Sequence, residues 1–214
     1  VLLVATIRAL KYNGNNSLKD GLCNLGVHIE NLYKFNQNVI VVLNKFPDDT
    51  IADINIVHEY VNSFNIPFTV STAYIDGENG ASEVVREVIK CEEKKLNLLY
   101  KLNDTLEDKI DVMCKSICRC NKIEYSEIAK EKIKRYSNIE YPICIAKTQY
   151  SISDDAKKLG APSNYTLTVR DIKVNNGAKF ITVYLGNILT MPGLSKHPNA
   201  CNIDLVNYEI VGIF

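Results

Sequence analysis

Two hydrophobic rhythms alternate in the first third of the chain. Short unbroken apolar runs are followed by longer stretches in which apolar positions recur every three or four residues. The run Val39-Ile40-Val41-Val42-Leu43 is the clearest of the first kind, and its β-branched content predicts a strand buried on both faces of a parallel sheet. Residues 1–6 and 66–71 read as further strands, with Pro67 pointing to an edge strand or a first strand position. Between the strands, Leu18, Leu22, Leu25, Ile29 and Leu32 make one apolar face and predict a helix over 17–35. Ile51, Ile54, Val57, Val61 and Phe64 do the same for a helix that Asp48-Asp49-Thr50 can cap. A glycine-bearing loop, 74–80, precedes a third helix over about 81–90. Strand and helix alternating three times predict an α/β fold with a parallel sheet and flanking helices.

The pattern then changes. Residues 91–136 are rich in Lys and Glu, with Leu106, Ile110, Met113 and Ile117 at helical intervals. They predict two or three helices with a break at Asn121-Lys122, and the run Glu92-Glu93-Lys94-Lys95 reads as a solvated helical face. Strands are expected again at 142–146, 165–169 and 180–185, the last after the turn Asn175-Asn176-Gly177. The expected organisation is a βαβ part (1–91), a helical segment (92–140) and a smaller α+β part (141–214).

Composition narrows the function classes. Twenty-five basic residues balance twenty-five acidic ones, so no global field steers the chain to nucleic acid or an anionic membrane. No apolar run approaches the ~20 residues of a membrane-spanning helix. The amino terminus lacks the basic segment and cleavage site of a signal peptide. It starts inside an expected strand and without methionine, which suggests a piece of a longer polypeptide. Seven cysteines, an odd number, suit free thiols in a reducing cytoplasm.

Candidate chemistry centres on the polar exit of the 39–43 run. In open α/β sheets ligands bind at the carboxyl ends of strands. Asn44-Lys45-Phe46-Pro47 at that position reads as a binding loop, although Phe46 can equally be a cap on the core. Asn44-Lys45 resembles the base-reading NKxD element of GTP-binding proteins, but Pro47 occupies the aspartate position. Neither GxxxxGK[ST] nor GxGxxG occurs. Cys114, Cys118 and Cys120 lack the second ligand pair that zinc requires and read as packing thiols. His28 and His58 fall on expected helices, whereas His197 falls in a loop that could meet a ligand.

Six blocks in order, VATIRALKYNG, GLCNLGVHIENLYKF, VIVVLNKFPDDT, PICIAKTQYSISDD, LTVRDIKVNNGAKF and LTMPGLSKHP, closely resemble the formate–tetrahydrofolate ligase family. The likeness covers essentially the whole chain and looks like the carboxyl-terminal portion of such an enzyme. It implies an incomplete P-loop NTPase-like sheet. It also implies a reaction in which ATP, with Mg2+, phosphorylates formate and tetrahydrofolate takes the formyl group from formyl phosphate to give 10-formyltetrahydrofolate. The phosphate loop and catalytic residues would lie outside this chain, which alone would be inactive.

What the resemblance leaves here is the folate side. The family's pterin is sandwiched by an aromatic in an NxFP motif and one in a later SExWAKGG-like motif, which match Phe46 and Tyr74. Tyr74 departs from the usual tryptophan, and Asp76 stands where lysine is usual. The same reading gives Val70 as the pocket floor, Pro47 as the residue fixing the loop, and Asn44 as a further folate neighbour. Lys147 would meet a phosphate or carboxylate, and Met191, Pro192 and Gly193 a nucleotide or a neighbouring subunit. The family further implies no tightly bound prosthetic group, a cytoplasmic homo-oligomer, and no nucleic-acid or membrane partner. The alternatives are a non-catalytic folate-binding or interaction module and, more remotely, a switch related to GTPases.

Overall fold

The structure, a computed structural model, describes residues 1–186, 188 and 196–212. Its first part is a parallel sheet in the order β1 (Leu2–Ala5), β2 (Ile40–Asn44), β3 (Phe68–Ser71). The central strand is β2, and Val39 to Leu43 are all buried, as the unbroken apolar run predicts. Strand β3 follows Pro67 directly and is an edge among the described strands, so the missing proline N–H interrupts no ladder. Register pairs Leu43 with both Ala5 and Val70, which aligns the carboxyl ends of the three strands.

Helices α1 (Ile7–Asn13), α2 (Leu18–Lys34) and α3 (Ile51–Asn62) pack with this sheet. Thr6, Ser17 and Thr50 cap them, each accepting the backbone N–H three residues on. Leu18, Leu22, Leu25 and Ile29 of α2 enter the core with Val57 and Val61 of α3. Ile51, expected on that inner face, is 75% exposed, because it is the first residue of α3 and lies beyond the sheet's cover. Helix α1 is an addition to the predicted elements. Its seven residues bury only Ile7 and Leu10, too few to show a period. It lies so close to α2 that a Cβ on Gly21 would come within 1.8 Å of the Leu10 carbonyl oxygen.

Residues 74–80, expected as a loop, instead form a helical turn, α4 (Ala73–Asp76), and a 3-10 helix (Gly77–Ala81) before α5 (Ser82–Ile89). Gly77 has φ of +57°, the left-handed conformation that lets the chain turn between the two. The run Glu92-Glu93-Lys94-Lys95 is exposed, as expected, but it is not helical. With no apolar face to bury, that segment has nothing to hold it in a helix.

A second core gathers α6 (Leu106–Ser116), β4 (Lys122–Tyr125), α7 (Glu127–Arg135), β5 (Ile143–Ala146), β6 (Thr166–Val169), β7 (Asp171–Asn175) and β8 (Phe180–Tyr184). Strand β4 stands where only helices are predicted and starts within the expected break at Asn121-Lys122. It pairs in parallel with β6. Strand β8 pairs in parallel with β5 and antiparallel with β7, so this part mixes both arrangements. A short exposed hairpin, β9 (Asp204–Val206) and β10 (Glu209–Val211), comes after it. The coarse prediction of an α/β fold with parallel sheets holds. Among the described residues no helix is long and apolar enough to cross a membrane.

One core residue breaks the apolar pattern. Lys109 of α6 is 1% exposed, and its ammonium donates to the carbonyl oxygens of Leu102 at 2.6 Å and Tyr141 at 3.2 Å. Burial pulls its pKa down, opposed by Asp104 and Glu140. A lysine whose native pKa is depressed makes the unfolded state bind more protons between the native and ordinary values, so stability rises with pH through that window. Urea unfolding at neutral pH and near pH 10 is expected to show the protein gaining stability relative to Lys109→Met on the alkaline side.

Candidate functional site

The aligned strand ends place one chemically distinctive residue after each strand. Arg8 follows β1, Phe46 follows β2, and Tyr74 follows β3. The Phe46 and Tyr74 ring centroids are 5.0 Å apart with the planes tilted by 51°, within the range of favourable aromatic pairs. The Arg8 guanidinium carbon lies 5.0 Å from the Phe46 centroid, a cation–π contact. Asp48 approaches the same guanidinium at 3.9 Å, with both side chains more than 70% exposed. Phe46 is half-buried between these neighbours, neither the freely exposed ring nor the core cap that its sequence position suggests.

The Phe46 loop is held by a reciprocal pair of bonds. The Asp49 carboxylate accepts the Phe46 N–H at 2.8 Å, and the Asp49 N–H donates to the Phe46 carbonyl at 3.1 Å. Pro47 occupies the second position of the resulting four-residue turn, where its fixed φ is favourable. Lys45 N–H donates to the Ser71 carbonyl at 2.9 Å and carries the β2–β3 ladder past Asn44. Val70 is half-buried on β3, opposite Leu43. Tyr74 is 68% exposed, and Asp76 is exposed beside it.

A flat ring held between two aromatic faces needs about 7 Å between them, twice the ~3.5 Å contact distance of carbon atoms. At 5.0 Å and tilted, Phe46 and Tyr74 touch each other, so a ring can enter only if Tyr74 or Phe46 moves aside. Tyr74, on the surface of a single helical turn, is the freer of the two.

Residues 147–151 serve two places. The Lys147 ammonium donates to the carbonyl oxygens of Thr148 and Ser151 and borders a cavity of ≈ 240 Å³ with His28, Asn31, Cys118 and Ile152. Burial lowers the Lys147 pKa, and burial together with the nearby Lys147 charge lowers that of His28. The hydrogen bond from Cys114, more than Lys147, pulls the Cys118 thiol down, whereas burial raises Cys120 to about 11. Cys114, Cys118 and Cys120 all belong to the second core. Gln149 and Tyr150, by contrast, reach the Arg8 side. With Thr6, Arg8, Ala9, Tyr12 and Asn13 they line a largely apolar groove of ≈ 380 Å³. Tyr12 and Tyr150 pair across it at 6.0 Å.

Of the residues singled out by sequence, Asn44, Phe46, Pro47, Val70 and Tyr74 thus come together at the β2 and β3 ends, and Lys147 lies at a separate cavity. Met191, Pro192 and Gly193 lie outside the described residues. His58 stacks on Phe68 at 4.9 Å, a packing role, and His197 is exposed. The sequence reading gives no binding role to Arg8, Asp49, Tyr12 or Tyr150. Arg8 and Asp49 carry a readable signal, since one follows a strand and the other ends an FPDD turn. The Tyr12–Tyr150 pair spans too much sequence to carry one.

These features define an α/β protein with a pair of touching aromatic rings at the carboxyl ends of its parallel strands. The family model for formate–tetrahydrofolate ligase matches residues 1–214, and the chain belongs to that family. Similar relatives are the formate–tetrahydrofolate ligases of Petrotoga mobilis, 46% identical over 222 residues, and Campylobacter concisus, 43% identical over 222 residues; each match takes in 96% of this chain and 40% of the relative. That of Pseudothermotoga lettingae is 38% identical across 100% of this chain and 41% of its own length. The chain thus spans about two fifths of the relatives it matches, in keeping with the carboxyl-terminal portion suggested by its sequence blocks.

Proposed function

We infer that this chain is the folate-binding portion of an ATP-dependent formate–tetrahydrofolate ligase, with the pterin ring inserted between Phe46 and Tyr74. The observation that carries this reading is the meeting of those two rings past the ends of adjacent parallel strands. Stacking suits a flat heteroaromatic ring, and Asn44 and the Val70 face supply a polar edge and an apolar floor. The reading includes a P-loop NTPase-like sheet of which β1–β3 are part, and an arrangement of 1–91, 92–140 and 141–214 as successive parts.

In the proposed reaction ATP transfers a phosphoryl group to formate, and N10 of tetrahydrofolate attacks the formyl carbon and releases phosphate. The residues of this chain contribute binding and orientation of the folate. The sequence carries no GxxxxGK[ST] phosphate loop, and in this reading the Mg2+ contacts and the main phosphate cradle belong to the part of the protein outside this chain. Lys147 uses two of its three donors on carbonyls, and the third is assigned to the nucleotide side with Met191, Pro192 and Gly193. The chain alone is then inactive, and the complete protein is a cytoplasmic homo-oligomer acting on small molecules, with no tightly bound prosthetic group.

The test is formate- and ATP-dependent production of 10-formyltetrahydrofolate by the protein at its full natural length. Asp49→Ala, which frees the Phe46 loop, is expected to raise KM for tetrahydrofolate roughly threefold to tenfold, about 1 kcal/mol, the part of the lost loop clamp that reaches the bound ring. KM values for ATP and formate should not change. No formyl transfer, or a KM rise shared by all three substrates, would refute the reading.

A further inference from the structure

We propose that the groove between Arg8 and the Tyr12–Tyr150 pair receives the arylamide-carboxylate tail of the folate whose pterin stacks at Phe46 and Tyr74. This rests on the pterin placement just proposed. The argument comes from strand order. Because β3, β2 and β1 lie side by side and in register, the residues after them form a row: Tyr74, Phe46, Arg8. Beyond Arg8 the row continues into the groove lined by Thr6, Ala9, Tyr12, Gln149 and Tyr150. A ligand held by its ring at one end of the row has this groove as its next neighbour.

The chemistry of the groove matches the tail part by part. The wall is mainly apolar, and Tyr12 and Tyr150, tilted by 50° across 6.0 Å, offer aromatic faces to a benzoyl ring. Arg8 offers a planar fork of N–H donors for a carboxylate. Its existing partner, Asp48, is 3.9 Å away and largely exposed, a loose pairing that a ligand carboxylate can replace. Thr6 and Asn13 of the groove are already committed to the fold. Thr6 accepts the Ala9 N–H, and Asn13 donates to the Ala9 carbonyl and accepts the Gly160 N–H. Arg8 is therefore the specificity determinant for the carboxylate, while Tyr12 and Tyr150 position the arylamide.

Three ligands separate the parts: 6-methyltetrahydropterin, which has no tail; the primary amide of tetrahydropteroate, which has the arylamide but no carboxylate; and tetrahydrofolate. Their dissociation constants are to be measured by calorimetry on the full-length protein and on Tyr150→Ala, Arg8→Gln and Phe46→Ala. Tyr150 is 50% exposed, so its truncation leaves the fold intact. Tyr150→Ala is expected to weaken the pteroate amide and tetrahydrofolate about fivefold and to leave 6-methyltetrahydropterin unchanged. Arg8→Gln is expected to abolish the preference for tetrahydrofolate over the pteroate amide. If Tyr150→Ala changes none of the three, or all three equally, while Phe46→Ala still weakens the pterin, the tail proposal fails and the pterin reading stands. If Phe46→Ala leaves 6-methyltetrahydropterin binding unchanged, or the unmodified protein binds no pterin at all, the pterin reading fails and the tail proposal with it.

Discussion

Truncating Phe46 to alanine is expected to raise the dissociation constant for tetrahydrofolate roughly thirtyfold, about 2 kcal/mol, from lost stacking and lost apolar contact. Phe46 is the better anchored of the two rings. It is fixed by the Asp49 clamp, and Arg8 lies against it before any ligand arrives. Tyr74→Ala is expected to cost less. Removing Tyr74 also removes the ring-to-ring contact at 5.0 Å that an entering ligand must break, so part of its stacking contribution is recovered. For the same reason the two substitutions should not add, and the double variant should be less impaired than the product of the single effects. Calorimetric titration of the single and double variants measures this directly. An unchanged affinity in Phe46→Ala would remove the pterin from this crevice.

Gly21→Ala carries the largest expected effect on stability. Its methyl group would lie 1.8 Å from the Leu10 carbonyl oxygen, a backbone atom that cannot swing away as a side chain can. The two helices must separate, and the shift is expected to cost about 3 kcal/mol, at the upper end for overpacking. For a chain of this size that lowers the melting temperature by roughly 6–12 °C, measurable by calorimetry or circular dichroism. The damage would extend to binding, because α1 carries Arg8 and Tyr12. Tetrahydrofolate affinity should fall in Gly21→Ala even below its melting temperature, whereas Gly177→Ala, with open space around its Cβ, should change neither property.

The parts of the fold that could be read from sequence were those with a long or unbroken apolar signal. Strand β2 lies in the unbroken apolar run Val39–Leu43 and ends at Asn44, and α2 repeats its leucines over seventeen residues after a serine cap. Elements set by their neighbours were not readable. Strand β4 is Lys-Ile-Glu-Tyr, an alternation too short to outweigh the helical surroundings, and it is a strand because β6 lies beside it. Strand β7 offers only Ile172 and Val174 as an alternation, and its place depends on β8. The charged run 92–95 had helical composition but nothing to pack against.

The candidate site divides in the same way. The aromatic pair could be read because each ring directly follows a strand, and because the flanking residues resemble a family motif. That the two rings already touch was not accessible, since spacing along a chain does not fix distances between side chains. Nor was the role of residues 147–151, which split between Lys147 at an inner cavity and Tyr150 against Tyr12. Lys109 illustrates the opposite failure, a charged residue in a Lys- and Glu-rich stretch that turned out to be buried against two carbonyls.

The two walls of the site also differ in when they can form. Phe46 and Tyr74 belong to consecutive βα units of one small sheet, and their contact closes a short loop. The groove beyond Arg8 needs Tyr150 beside Tyr12, a closure steadied by Asn24 reaching Gly160 across 136 residues and Gly160 reaching Asn13 across 147. Long closures carry a larger entropic penalty and slow folding. The stacking half of the crevice can therefore assemble while the chain is still emerging from the ribosome, but the groove must wait until the second core has folded and docked.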